Sequence, residues 1–216
     1  MTDVLDGTKN EIADRLNQGL AALGLPLRDE VRAKLLEYVN LLEKWNKTYS
    51  LTSIRGAAKI VSVHLLDCLA VVPHLSGRKL LDVGSGAGLP GIPLALARPD
   101  AKVTLLDSSH KKTAFLRQVL TELHVTNASV QCERVENWRP EIGFDCVVSR
   151  AYADLSEFVT STAHALSAAG VFAAMKGVYP FEEIDKLPSG FRVIDVIRIE
   201  VPMLASQRHL VLMRPA

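Results

Sequence analysis

The stretch LLDVGSGAGLPGIPLALA, from Leu80 to Ala97, constrains the fold more than any other part of the chain. An apolar run ends in Asp82, three glycines alternate at Gly84, Gly86 and Gly88, and an apolar, alanine-rich run follows. That order reads as strand, ligand-cradling turn and helix, the opening unit of a doubly wound α/β sheet. Glycines in the turn permit positive φ and let the backbone come close to a ligand.

The rhythm on either side supports this reading and divides the chain near Ser76-Gly77. Before it the spacing is helical. Val31, Leu35, Tyr38, Val39, Leu42 and Trp45 fall three or four apart and predict one apolar face. Ile12, Leu16, Leu20 and Leu23 predict an earlier helix, closed by Gly24 and Pro26. AAKIVSVHLLDCLAVVPHL is apolar nearly all round and predicts a buried helix ending before Pro73. After Gly77, short β-branched runs alternate with helical ones: RKLLDVG, KVTLLDS, ASVQCER, FDCVVSR and GVFAAMKG, then FRVIDVIRIEV and RHLVLMRP. Strands separated by helices imply a mostly parallel sheet of seven strands covered on both faces. The last two runs lack a long helix between them and are expected to form an antiparallel pair at one edge. The expected organisation is a helical N-terminal arm over 1–76, packed on a Rossmann-like core over 77–216.

Composition removes several alternatives. The formal net charge of the 216 residues is +1, so a polyanionic partner has to meet a local basic patch. The first residues, MTDVLDGTKNEIADRL, are acidic where a signal peptide is basic, and no run is apolar for the ~18 residues of a membrane span. Cys68, Cys132 and Cys146 are far apart and form no CxxC pair. They are expected to be reduced thiols of a cytoplasmic protein, with no metal site.

The glycine turn poses the question of its ligand. Asp107 ends the second strand run, 19 residues after Gly88. A carboxylate there can accept both hydroxyls of a ribose, so the ligand is expected to contain a nucleoside. The dinucleotide pattern G-x-G-x-x-G fails from Gly84 but fits GAGLPG from Gly86. Asp82, just before the glycines, argues the other way. It would repel a pyrophosphate and suit a cationic ligand. S-adenosylmethionine carries a sulfonium, an ammonium and an adenosine, and is favoured over NAD.

With the turn read this way, the chain resembles the bacterial 16S rRNA guanine-N7 methyltransferases, also called glucose-inhibited division protein B. The matching stretches are LLEKWNKTYSLTSIR, HLLDC, LLDVGSGAGLPGIPLA, VTLLDSSHKKTAFLRQV, RVENW, FDCVVSRAYA, AMKG and RHLVL. The resemblance implies a class I, S-adenosylmethionine-dependent methyltransferase fold behind a helical arm. It implies cofactor contacts at Gly84 and Leu89, at Val135 and Glu136, and at Arg150. It also implies 16S rRNA or a small-subunit particle as partner, and a monomer is expected. Val63 and Ser50 stand where the family often has arginine and asparagine, so any RNA contact made there is absent or altered here.

The remaining candidates carry two readings each. Arg150 ends FDCVVSR and is placed to hold a cofactor carboxylate or an RNA phosphate. Lys111, Lys112, Arg117 and Lys176 read as an RNA rim around the cofactor mouth or as solvated surface. His64 and Asp67 read first as satisfied core residues and second as substrate contacts. Trp45 belongs to the apolar stripe, whereas Trp138 is open to base stacking. At SRAYADL, after the fourth strand, the Asx-Pro-Pro-aromatic turn that commonly serves amine methylation is missing, and Cys146 lies inside its strand. Guanine N7 has an in-plane lone pair and needs no base to deprotonate it, which suits a site without an evident base. Methylation of another RNA or a protein, and a non-catalytic RNA-binding assembly factor, are the alternatives.

Overall fold

A computed structural model describes residues 2–152 and 154–216; Met1 and Ala153, the latter within SRAYADL, lie outside the described residues. Two long helices come first, α1 (Thr2–Ala22) and α2 (Asp29–Tyr49). Gly24 closes α1 with φ +60°, and Ser50 closes α2 with φ 50° and ψ 50°. That left-handed cap is a place asparagine adopts readily, which gives the position a backbone role. Next come α3 (Ala57–Ile60), a π-helical turn over Val61–Leu65 and α4 (Leu66–Ala70). The expected buried helix therefore exists and stops before Pro73, but one wide turn interrupts it, which the apolar pattern does not encode. Contrary to the expectation that no run reaches membrane-span apolarity, the 18-residue segment Ala57–His74 does, with mean hydropathy 1.4, but 72% of it is buried within the protein. Its apolar side chains serve the core.

The sheet follows: β1 (Lys79–Val83), β2 (Lys102–Leu106), β3 (Ala128–Gln131), β4 (Phe144–Ser149), β5 (Leu166–Lys176), β6 (Phe191–Arg198) and β7 (His209–Pro215). The helices between them are α5 (Gly91–Ala97), α6 (His110–Glu122), α7 (Leu155–Thr162) and α8 (Phe181–Asp185). The order across the sheet is β3-β2-β1-β4-β5-β7-β6. The five strands β1 to β5 run parallel, and β7 inserts antiparallel between β5 and β6. All seven expected runs are strands, and the last two pair antiparallel as their missing crossover helix required.

Alternation along the strands sends neighbours to opposite faces. Leu80, Val103, Leu105, Cys146 and Val148 join one apolar cluster with α2, α4, α5 and α6. Leu81, Val83, Leu106, Val147 and Phe172 join a second with Leu155, Phe158 and Val159 of α7. The first cluster is continuous from Leu16 and Leu35 in the helices before Ser76 to the sheet strands. Trp45 packs there, with its ring 5.5 Å from Phe115, while Trp138 packs on the second cluster, 5.9 Å from Phe144. Cys146, 1% exposed, is a packed strand residue.

Candidate active site

The strand order reverses between β1 and β4, so the loops leaving these two strands splay apart and open a crevice. Two clefts lie there. The first, about 340 Å³, is lined by Val83, Gly84, Asp107, Lys112, Val135 and Glu136, among others. The second, about 350 Å³, is lined by His64, Asp67, Arg150, Lys176 and Arg208, among others. Ala151 lines both and is their common wall.

The glycine turn meets the first cleft at Gly84. Gly84, Gly86 and Gly88 have φ of +70°, +58° and +89°, a region side chains rarely adopt. Their uses differ. A Cβ on Gly84 would meet nothing within 4 Å, and one on Gly86 only the Gly84 carbonyl at 3.7 Å. A Cβ on Gly88 would meet Ile92 Cγ1 at 2.6 Å and Leu116 Cδ2 at 2.9 Å. Gly84 thus leaves open space in the cleft, whereas Gly88 lets α5 and α6 close on the turn. Gly86, Gly88 and Leu89 do not line the cleft, and Leu89 is 5% exposed.

Asp107 shapes the turn directly. Its Oδ2 accepts from Gly86 N at 2.9 Å and its Oδ1 from Ser109 N at 2.9 Å, with Lys112 Nζ 3.6 Å from Oδ2. Each oxygen keeps a second lone pair for a ligand hydroxyl. A further support comes from the arm. Tyr38, fully buried, donates from Oη to the Ala87 carbonyl at 2.7 Å. The helical stripe marks Tyr38 only as core; its hydroxyl is the one signal that it also binds the turn.

Asp82 does not reach the cleft surface, contrary to the expectation that it faces a ligand. It is 0% exposed, because the next residues fold over it. Its Oδ2 accepts from Gly91 N at 2.9 Å, and among the described residues Oδ1 has no hydrogen-bond partner. Burial pushes its carboxyl up to about 7, against the Gly91 hydrogen bond, which lowers it.

In the second cleft a chain of polar contacts fixes Arg150. Its Nη1 donates to Asp67 Oδ2 at 3.2 Å, and its Nη2 lies 3.0 Å from His64 Nδ1. A guanidinium only donates, so His64 Nδ1 is the acceptor and Nε2 carries the proton toward Thr52 Oγ1, 2.7 Å away. Burial, and then the Arg150 charge, hold the imidazole down at about 4, so it is neutral at neutral pH. Asp67 Oδ1 accepts from Arg208 Nε at 3.0 Å, and the carboxylate bridges two arginines. His64 sits in the π-helical turn, a kind of irregularity frequent at functional sites. His64 and Asp67 are thus satisfied, as a core reading has it, and they also line a cleft.

The expected basic rim is not one feature. Lys112 lines the first cleft against Asp107. Lys176 lines the second, with Nζ 2.7 Å from Glu183 Oε2. Lys111 and Arg117 are exposed on α6 and line neither. Arg208, which sequence reasoning passed over, belongs to the second cleft instead. The antiparallel sense of β7 was the available signal. Its start lies beside the carboxyl end of β5, where Lys176 pairs with His209.

Comparison with known proteins shows which family carries this arrangement. The family model described as rRNA small subunit methyltransferase G matches residues 31–211. The chain belongs to this family. The Ribosomal RNA small subunit methyltransferase G of Chromobacterium violaceum is 54% identical over 199 residues, covering 92% of this chain and 95% of the relative. That of Laribacter hongkongensis is 50% identical over 200 residues, covering 93% and 97%. Among solved structures, the glycopeptide N-methyltransferase MtfA complexed with S-adenosyl-L-homocysteine aligns with TM-score 0.61 at 13% identity, over 71% of this chain and 87% of that one. This last likeness identifies the fold, a Rossmann-like methyltransferase architecture. The matched span of the family model starts in α2 and so includes Tyr38, both clefts and Arg208. Within it, Val63 lines the second cleft as an apolar side chain.

Proposed function

We propose that the protein transfers a methyl group from S-adenosylmethionine to N7 of a guanine in 16S rRNA, acting as a monomer on the RNA or on a small-subunit particle. The observation that carries this reading is the pair of clefts sharing Ala151 at the carboxyl ends of the parallel strands, in a chain of the rRNA small subunit methyltransferase G family. One cleft suits a nucleoside cofactor and the other a base.

The first cleft fits the cofactor chemically. Gly84 leaves room, Asp107 and Glu136 offer acceptors for hydroxyl and amino groups, and Val135 offers an apolar wall. When bound there, the cofactor supplies an electrophilic methyl group on a sulfonium. The remaining work is orientation, since reacting atoms need to be held about 3–3.5 Å apart and in line.

The second cleft supports a transfer that needs no base. His64, Asp67, Arg150, Lys176 and Arg208 are each committed to a protein partner. Neutral His64 spends its one lone pair on Arg150, so it is not free to take a proton. Guanine N7 is unprotonated at neutral pH and asks for none. Arg150 and Arg208 share one carboxylate, which leaves a net positive lining for an RNA substrate.

Three measurements test this reading. Mass spectrometry of rRNA nucleosides from cells with and without the gene should show one N7-methylguanine lost. A substrate with carbon in place of N7 at the target guanine should accept no methyl group, and single-turnover rates should lack a base-dependent rise across neutral pH. Methylation of the carbon analogue would overturn the assigned atom.

A further inference from the structure

The loop that leaves β5 and the first residue of α8 carry exposed aromatic surface, next along the chain to residues that line the second cleft. Val178 is 73% exposed, Tyr179 37% and Phe181 70%. The Tyr179 and Phe181 rings lie 4.2 Å apart between centroids, tilted by 36°. They are not a stray hydrophobic tip, because the loop is tied to the cleft from both sides. Lys176 and Gly177, immediately before it, line the cleft. The Tyr179 ring meets His209 edge-on at 5.6 Å, and His209 Nδ1 lies 3.2 Å from the Gly177 carbonyl. His209 follows Arg208, another cleft residue.

We propose that Tyr179 and Phe181 form a stacking platform for an unpaired base of the RNA next to the target guanine. The inference rests on the RNA methyltransferase reading above and adds a second point of contact to it. Single-stranded RNA is gripped by aromatic faces combined with a basic groove. Both are present here: the two arginines line the cleft, and the aromatic pair follows the lining residues Lys176 and Gly177 and packs on His209, the neighbour of Arg208. A guanine held in the cleft is out of its stack, so its neighbour loses a stacking partner as well. The exposed Phe181 ring restores one, and Tyr179 supports that ring from the other side.

The test uses the full chain and variants Tyr179→Ala, Phe181→Ala and Phe181→Trp. Methyl transfer is measured on small-subunit rRNA from cells lacking the gene. A single-stranded oligonucleotide with 2-aminopurine flanking a guanine reports stacking by quenching. The alanine variants should raise KM by about fivefold to a hundredfold with kcat kept, and should lose the quenching. Phe181→Trp should restore both. Unchanged KM and quenching in the alanine variants, with wild-type transfer intact, would overturn the platform and leave the enzyme reading standing. A wild-type dimer that the variants split into monomers would overturn it too, by showing the patch to be a self-association surface. No transfer to RNA by the wild type would instead overturn the enzyme reading and the platform together.

Discussion

Asp82 beneath the glycine turn, and Gly86 and Gly88 within it, show how position decides what a residue is for. Asp82 is a buried carboxyl with one hydrogen bond and one orphaned oxygen, and its folded value is about 7 against about 3.8 unfolded. A raised folded value means that the folded state holds the proton more tightly. The stability this gives is complete below about 3.8 and is lost as pH rises through 7. Asp82→Asn keeps an acceptor for Gly91 N and cannot ionise. Thermal melts from pH 5 to pH 8 should therefore show the variant gaining on the wild type, and a constant difference would mean that Asp82 is not the group titrating. Gly88 and Gly86 make a matched pair. Both have positive φ, but only Gly88 is hemmed in, by Ile92 and Leu116. In urea unfolding, Gly88→Ala should lose about 2–3 kcal/mol, from backbone strain plus a clash in a packed interface, and Gly86→Ala about 1 kcal/mol, from strain alone. Equal losses would contradict the division of the turn into a packing glycine and an open one.

At the level of elements, α2 is more than a cover for the sheet. Its Tyr38 hydroxyl reaches across 49 residues of sequence to the Ala87 carbonyl inside the turn. Tyr38→Phe keeps the ring and removes the donor, leaving a buried carbonyl unpaired at a cost of about 1–3 kcal/mol. Because that carbonyl belongs to the turn, calorimetry should find weaker binding of S-adenosylmethionine beyond the loss of stability. A variant with wild-type affinity would show that the turn holds its shape without α2. This contact marks the limit of what could be read from the chain. The strands, their order of appearance and the reversed last pair were legible, since period-two runs and the missing crossover helix are local patterns. The turn glycines and Asp107 were legible for the same reason: motif and strand end lie close in sequence. The second cleft was not, because Thr52, His64, Asp67, Arg150 and Arg208 come from four separate segments, and only tertiary packing brings them together. Asp82 was misplaced because a motif gives the order of residues along a turn and not which of them the turn folds over.

Over the whole molecule, the change of rhythm at Ser76 is one of sequence pattern, and the apolar core runs across it. One apolar cluster runs from Leu16, Leu35 and Leu42 through Leu65 and Leu69 to Leu80, Ile92, Leu105 and Phe115. Removing the arm would expose the faces of α5 and α6 that α2 and α4 cover, at roughly 25 cal/mol for each Å² of apolar surface. The arm also carries Tyr38, His64 and Asp67, so the polar links that shape both clefts cross the same boundary. Such a structure should open as one unit. Native-state hydrogen exchange should give the α2 amides facing the core and the β1 amides the same opening free energy, equal to that of global unfolding. A core substitution in the arm such as Leu35→Ala, at a site 0% exposed, should then lower both together by about 2–5 kcal/mol. If the β1 amides kept their protection while those of α2 lost theirs, the arm would be a separate folding unit, and the turn would owe its shape to the sheet alone.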